Sequence, residues 1–263
     1  MSSVIVDHNI NESGVPDGQP IVFAHGFGCD QQMWRHVAPH FEDRYRVVLF
    51  DYVGAGDAQK PFDPDRYAAL DGYADDLVSI CEGLELNNII LVSHSVSCMI
   101  GVLAGHKLPG RFSKHVMIGP SPHYMNDGNY RGGFDRDDIE ELLESLDSNY
   151  RGWSSAMAPV IMGPENGEEL SEELRESFCR MHPDVAGVFA KATFLSDNRE
   201  DLPGYRVPTL VLQGRNDRIA GVEVGQYTVE QIPDSQILYL NATGHCPHLS
   251  APDEIVDSIE SFL

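Results

Sequence analysis

The sequence predicts an α/β fold, in which a mostly parallel central sheet is flanked by helices and carries a helical insertion. Three observations support this: short apolar runs recur along the chain, helical patterns separate them, and the alternation stops between residues 123 and 199. The chain has 263 residues, of which 42% are hydrophobic, so it is long enough to bury a large core. We therefore expect residues 1–263 to form a single domain, with residues 123–199 inserted between two strands of its sheet.

Six apolar runs are predicted to be strands, because each is only a few residues long, is rich in β-branched residues and ends at turn residues. Runs that are continuously apolar, rather than alternating, fit parallel strands that are buried on both faces of the sheet. The six runs are Gln19–Ala24, Arg46–Phe50, Asn88–Val92, His115–Ile118, Thr209–Gln213 and Gln236–Leu240.

Helical periodicity lies between and after several of these runs. Leu70–Leu84 repeats apolar residues at a spacing near 3.6, Val96–Ala104 follows the third run, and Asp253–Leu263 is an amphipathic helix with its first residue as the expected cap. Within the insertion, Asp137–Leu146 and Leu170–Cys179 have helical patterns whose many acidic residues indicate a solvated face. Because strands and helices alternate outside the insertion, we expect a parallel sheet.

Charge and composition disfavour several classes of function. The 41 acidic residues against 18 Lys and Arg give a formal net charge of −23, which repels nucleic acid and anionic membranes. No apolar run reaches the roughly 18 residues that a membrane helix needs, and the N-terminal stretch lacks the basic residues of a signal peptide. We therefore expect a cytoplasmic protein. The five cysteines form no CxxC pair, so neither a zinc site nor a disulfide framework is indicated. No metal or cofactor is expected.

A candidate nucleophile lies between the third apolar run and the helical pattern that follows it. The segment Ser93–Ser97 reads SHSVS, which resembles the G-x-S-x-G pattern with both glycines replaced by serine. Small residues are needed on either side of such a nucleophile, because the chain turns sharply there to expose the central hydroxyl. This pattern predicts Ser95 as a nucleophile, with a non-catalytic serine-rich turn as the alternative.

Two further residues supply what a serine nucleophile lacks. A serine needs a histidine base, and the base needs a carboxylate to orient it. Asp217 follows the fifth predicted strand and His245 follows the sixth, which gives the chain order Ser, acid, His. Each residue alone fits an ordinary turn, but all three lie at carboxyl ends of predicted parallel strands, the edge where open α/β sheets place their sites. The sequence therefore predicts a Ser95–Asp217–His245 triad.

A glycine-rich loop provides the remaining part of an acyl-transfer site. His25–Gly28 reads HGFG directly after the first predicted strand, so its backbone is free to expose the amide of Phe27. Together with the amide of Val96, next after the nucleophile, it is expected to form an oxyanion hole. Phosphate binding is the alternative, but the loop lacks both the G-x-G-x-x-G spacing and the P-loop lysine.

These motifs are part of a family resemblance that extends over essentially the whole chain. The sequence resembles the α/β-hydrolases, and within them the RsbQ group of bacterial stress-signalling hydrolases, which is related to the karrikin and strigolactone receptors of plants. It departs from that group at Ser93, where the group generally has glycine. The matching segments are residues 25–34, 50–57, 70–77, 93–99, 118–127, 132–134, 149–153, 194–203 and 244–250.

The resemblance implies a cap of four helices that encloses a hydrophobic pocket above Ser95. An apolar pocket favours a small, uncharged ester or lactone as substrate. Each matching residue alone fits ordinary packing within the cap equally well. The positions that match pocket-lining residues of the group are Phe27, Tyr124, Phe134, Trp153, Met157, Phe189 and Phe194.

The expected activity is therefore hydrolysis of a small ester or lactone through an acyl-enzyme. The resemblance also implies an alternative, in which the protein is a ligand sensor that acts with a PAS-domain phosphatase to activate a general-stress sigma factor. Hydrolysis of C–C bonds and cofactor-free haloperoxidase activity stay open, because they use the same triad. Epoxide hydrolases and haloalkane dehalogenases are disfavoured, because their nucleophile is Asp.

His248 is expected to pack or cap, since its sequence neighbours offer no metal ligand set.

Overall fold

Seven strands form one sheet in the computed structural model, which describes residues 3–263. The strand order is β1-β3-β2-β4-β5-β6-β7, for β1 (Asn11–Gly14), β2 (Pro20–Ala24), β3 (Arg46–Leu49), β4 (Ile89–His94), β5 (Phe112–Ile118), β6 (Thr209–Gly214) and β7 (Ser235–Leu240). The edge strand β1 runs antiparallel to β3, whereas the other five pairs are parallel. The mostly parallel sheet that the sequence predicts is confirmed.

The six predicted strands are all present, and β1 is the one that the apolar pattern misses. Its sequence is NESG, and all four residues are exposed. Its backbone pairs with β3 from Asn11 opposite Leu49 to Gly14 opposite Arg46. Because β1 buries no side chain against the sheet, it leaves no hydrophobic signal in the sequence.

Ten α-helices surround the sheet within the described residues. They are α1 (Ser3–Asp7), α2 (Leu70–Gly83), α3 (Val96–Lys107), α4 (Arg136–Ser148), α5 (Tyr150–Met162), α6 (Gly167–Arg180), α7 (Pro183–Phe194), α8 (Val222–Gln231), α9 (Pro247–Ser250) and α10 (Pro252–Phe262). The predicted capping role of Asp253 is wrong, because α10 begins at Pro252 and its N-cap residue is Ala251. Proline suits the first helical position, where no backbone N–H is needed.

Four of these helices, α4 to α7, lie between β5 and β6, and we call them the cap helices. The sequence pattern indicates α4 and α6 but not α5 or α7. Helix α5 contains Gly152 and Pro159, and α7 begins at Pro183 and contains Gly187. Glycine and proline ordinarily interrupt a helix, so they obscure both helices in the sequence.

The sheet separates two hydrophobic cores. Alternate residues of β2 point to opposite sides: Val22 and Ala24 belong to the core beneath α2, α3 and the cap helices, while Ile21 and Phe23 belong to the core beneath α10. All four are fully buried. Burial on both faces explains why this strand reads as a continuous apolar run.

The longest helices among the described residues, α2 and α6, have 14 residues each. None of the described helices combines the length and hydropathy needed to cross a membrane.

The burial of β4 generates a stability prediction. Leu91 is fully buried at the centre of this strand, whereas Leu195 is 47% exposed after α7. We expect Leu91→Ala to lower the free energy of unfolding by about 2–5 kcal/mol, because it leaves a cavity beneath α3. The control Leu195→Ala should change it by less than about 0.5 kcal/mol. Urea denaturation measures both, and similar values for the two variants would contradict the proposed packing of β4.

Candidate active site

Three strand ends bring Ser95, Asp217 and His245 together. Ser95 follows β4, Asp217 lies in the loop after β6, and His245 lies in the loop after β7. The Nε2 atom of His245 lies 2.8 Å from the Oγ of Ser95, and its Nδ1 lies 2.6 Å from the Oδ2 of Asp217. All three residues are at most 9% exposed. The arrangement is one in which a histidine bridges a serine hydroxyl and a carboxylate.

Ser95 occupies the sharp turn that the sequence pattern indicates. Its φ of 57° and ψ of −126° lie outside the regions that non-glycine residues ordinarily adopt. The turn is held because the amide of Ser95 donates a hydrogen bond to the carbonyl of Ile118, while its own carbonyl accepts one from Cys98. The hydroxyl is thereby directed away from both the strand and the helix.

Ser93, which stands where the G-x-S-x-G pattern has its first glycine, forms specific hydrogen bonds. Its Oγ lies 2.7 Å from the Nε2 of His115, whose Nδ1 lies 2.9 Å from the hydroxyl of Tyr205. Burial lowers the pKa of His115 to about 3, so the ring is neutral at pH 7. The serine therefore belongs to a buried polar chain behind the turn, and the unusual backbone conformation of Ser95 is kept despite the replacement.

The carboxylate of Asp217 is oriented by the backbone. Its Oδ1 accepts hydrogen bonds from the amides of Ile219 and Ala220, at 2.8 and 3.0 Å. The other oxygen, Oδ2, is therefore left for His245. Since the carboxylate of Asp217 accepts a hydrogen bond from Nδ1–H, the network assigns the lone pair of His245 to Nε2, where it faces Ser95.

The cap helices hold the loop that carries His245. The amide of His245 donates a hydrogen bond of 2.8 Å to the carbonyl of Ile161 in α5. Gly244, just before it, has a φ of +78°, and a Cβ atom there would lie 1.9 Å from the carbonyl oxygen of Met162. Only glycine permits this close approach, so the end of α5 and the histidine loop are built against each other.

The HGFG loop after β2 packs against the serine turn. A Cβ atom on Gly26 would lie 3.3 Å from the Cβ of Ser95. The ring of His25 accepts a hydrogen bond from the amide of Tyr52 at its Nε2, so its Nδ1 donates to the carbonyl of Gly26. The hydroxyl of Ser97 donates to the carbonyl of His25. These bonds fix the loop that carries Phe27 beside the serine turn.

A small cavity of about 30 Å³ lies above Ser95, and its wall is mostly aromatic and aliphatic. Five of the seven residues predicted to line a pocket do so: Phe27, Tyr124, Trp153, Met157 and Phe194.

The other two predicted lining residues, Phe134 and Phe189, are not among the residues that line this cavity. Phe189 is fully buried, with its ring edge-on to Phe27 at 5.5 Å and stacked on Tyr73 at 4.1 Å. The amide of Phe134 donates to the carbonyl of Tyr124 at 3.2 Å. Both residues therefore contact residues that face the cavity, and their predicted role in substrate binding stays a prediction.

The pattern also missed part of the wall. These residues are Cys29, His94, Ile161, Leu174, Phe178, Thr193, Ile219 and Cys246. Leu174 and Phe178 are four residues apart on α6, so they share one face of a helix whose acidic residues indicated a solvated surface. The apolar face could have been recognised from that spacing. The remaining six come from separate segments of the chain, so their meeting at the cavity depends on tertiary packing.

The sheet, the serine turn and the inserted helices together define the architecture of the α/β-hydrolases. Residues 21–258 match the profile described as "Alpha/beta hydrolase family". The chain belongs to this family and is a hydrolase.

Known relatives support this assignment over nearly the full length. The chain is 39% identical over 251 residues to Karrikin insensitive 2 receptor CA of Petunia hybrida, which covers 95% of this chain and 93% of the relative. It is 38% identical over 263 residues to Strigolactone esterase D14 of Arabidopsis thaliana, with coverage of 97% and 98%. The structure of a hydrolase from Oleispira antarctica superposes with a TM-score of 0.96 at 43% identity, covering 98% of this chain and 95% of that one. The resemblance to α/β-hydrolases and to these plant proteins is confirmed.

The polar chain behind the turn generates a second stability prediction. Ser93→Ala removes the hydroxyl that pairs with His115 and leaves a buried ring nitrogen unpaired. We expect the free energy of unfolding to fall by about 1–3 kcal/mol, measured by urea denaturation. As a control, Ser79→Ala removes a hydroxyl that is exposed on α2 and should cost less than about 0.5 kcal/mol. Equal stability of the two variants would show that the bond to His115 contributes nothing.

Proposed function

We propose that this hydrolase is a serine esterase that cleaves a small, uncharged ester or lactone through an acyl-enzyme. The observation that carries the proposal is the hydrogen-bonded series from Ser95 through His245 to Asp217 beneath an apolar cavity. A serine hydroxyl paired with a histidine, itself oriented by a carboxylate, is the arrangement that activates a nucleophile.

The reaction follows from the positions of these groups. The Oγ of Ser95 attacks the carbonyl carbon of the substrate while the Nε2 of His245 accepts its proton. The amides of Phe27 and Val96 stabilise the negative charge that develops on the carbonyl oxygen, at about 3 kcal/mol for each donor. The histidine returns the proton to the leaving alcohol, and water then hydrolyses the acyl-serine with the same histidine as base. Asp217 keeps the imidazole in the required tautomer.

The cavity supports a small substrate that has a polar group besides its ester bond. Three residues that line the cavity each have a buried polar atom without a hydrogen-bond partner within residues 3–263: the hydroxyl of Tyr124, the Nε1 of Trp153 and the Oγ1 of Thr193. A lactone or a functionalised ester would satisfy such groups, whereas a long alkyl chain would not. The net charge of −23 disfavours anionic substrates. The name of the Arabidopsis relative, a strigolactone esterase, agrees with this substrate class.

A second candidate function is ligand sensing by the same site. It is favoured by the names of several relatives, which are karrikin receptors. In that case Ser95 would react slowly or once, and the conformation of the liganded protein would be the output. A PAS-domain phosphatase, the partner implied by the resemblance to the RsbQ group, is part of this candidate.

The first test is hydrolysis of p-nitrophenyl esters of increasing acyl length. We expect steady turnover that is fastest for acetate and falls beyond butyrate, because the cavity is small. Ser95→Ala should lower kcat by at least about a thousandfold, while the surface control Ser79→Ala should not change it. A burst of one equivalent without steady turnover would favour the sensor. Activity that survives in Ser95→Ala would overturn the proposed nucleophile.

The second test concerns the unpaired hydroxyl of Tyr124. Tyr124→Phe keeps the ring and removes only the hydroxyl, so we expect KM to rise about five- to twentyfold for a lactone with a second polar group. The value of kcat should change little, since the bond is made equally in the ground and transition states. Steady-state kinetics with a lactone and with p-nitrophenyl acetate distinguish an effect on the second polar group of the substrate from an effect on the reacting carbonyl. An equal change for both substrates would assign the hydroxyl to the reacting carbonyl instead.

A further inference from the structure

A second cluster of reactive side chains adjoins the candidate catalytic groups, and two of its members, His94 and Cys246, also line the cavity. His94 ends β4, Cys246 follows His245, and His248 lies in α9. Each offers one nitrogen or sulfur atom, and these three atoms all lie within 4.8 Å of one another. The residues are 3%, 1% and 0% exposed. The proposed ester hydrolysis uses none of the three as an acid, a base or a nucleophile.

The histidines of this cluster have unused hydrogen-bonding capacity. Both ring nitrogens of His248 and the Nδ1 of His94 lack a partner in the part of the chain that the structure describes. Buried polar groups in native proteins nearly always have partners, so three unpaired nitrogens in one place indicate a specific role. The ring of His248 is held between the rings of Trp34, at 4.8 Å, and His94, at 4.4 Å.

We propose that His94, Cys246 and His248 form a buried Zn²⁺ site. Two imidazoles and one sulfur are the donors that Zn²⁺ prefers, while the absence of oxygen donors among the three disfavours Mg²⁺ and Ca²⁺. Tetrahedral zinc holds such atoms about 3.3–3.8 Å apart, so the donors need to approach by at most about 1.5 Å. On binding, the Cys246 S–H bond breaks, a Zn–S bond forms, and the proton leaves to solvent.

The local sequence does not indicate this ligand set. It predicts that His248 packs or caps, because its sequence neighbours offer no complete set of metal ligands. The third donor, His94, is separated from them by about 150 residues in the sequence. It comes close to them only because the ends of β4 and β7 lie at the same edge of the sheet.

Occupancy of this site would affect the candidate base. The Nε2 of His94 lies 2.8 Å from the carbonyl oxygen of His245, the two rings lie 4.8 Å apart, and Cys246 is bonded directly to His245. Drawing His94 and Cys246 toward an ion therefore displaces His245 from Ser95. The inhibition expected from this rests on the proposed esterase function, whereas the binding itself does not.

The binding test is a Zn²⁺ titration of the intact protein against a chromophoric chelator, which keeps weak surface sites empty. We expect one tight equivalent in the wild type and at least a tenfold loss of affinity in Cys246→Ser and in His248→Phe, whose ring preserves the packing on Trp34. Cys179→Ser, which alters a partly exposed cysteine, is the matched control and should bind normally. With Co²⁺ as probe, a thiolate-to-cobalt charge-transfer band should be present in the wild type and absent in Cys246→Ser. Absence of a tight equivalent, or unchanged affinity in both variants, would overturn the site.

Stability and activity measurements complete the test. Thermal melting identifies a variant that fails to fold, and His248→Gln then replaces His248→Phe. We expect one equivalent of Zn²⁺ to lower p-nitrophenyl acetate turnover at least fivefold in the wild type and not in the folded His248 variant. Tight binding without inhibition would overturn the coupling to His245. Failure of Ser95-dependent turnover would overturn the esterase proposal but leave the binding result valid.

Discussion

The hydrogen bond from the amide of His245 to the carbonyl of Ile161 connects the sheet to the cap helices. It ties the loop after β7, which belongs to the sheet, to the end of α5, which belongs to the cap helices. The contact requires glycine at position 244, because any Cβ there would meet the carbonyl of Met162. Since the same loop directs the imidazole at Ser95, the position of the candidate base depends on where the cap helices lie. The cap is therefore part of the site as well as its cover.

Some buried polar groups at this site have hydrogen-bond partners, and others close to them have none. The backbone amides of Ile219 and Ala220 satisfy one oxygen of Asp217, so the other orients His245. Ser93, His115 and Tyr205 satisfy one another behind the turn. In contrast, His248 and one nitrogen of His94 have no partner among residues 3–263, although they are equally buried. Satisfied groups give the site rigidity, and unsatisfied groups are where a ligand gains most from binding.

Local sequence was sufficient to predict a strand or a site residue wherever a single segment of the chain carried the pattern. The apolar runs predicted six strands because each is buried on both faces, and the chain order of Ser95, Asp217 and His245 placed all three at one edge of the sheet. The edge strand β1 left no such signal, because its four residues are exposed. Helices α5 and α7 were hidden by their own prolines and glycines, although the family resemblance implied four cap helices.

The sequence by itself determined the fold class, the family and the residues that form the hydrogen-bonded series beneath the cavity. Each of these depends on local patterns or on short motifs at strand ends. Tertiary structure alone decided which aromatic residues face the cavity, and it leaves Phe134 and Phe189 outside the lining. It alone also brought His94 to Cys246 and His248. The physical reason is the same in both cases: side chains from distant segments meet according to how helices and loops pack, and no periodicity in the chain records that packing.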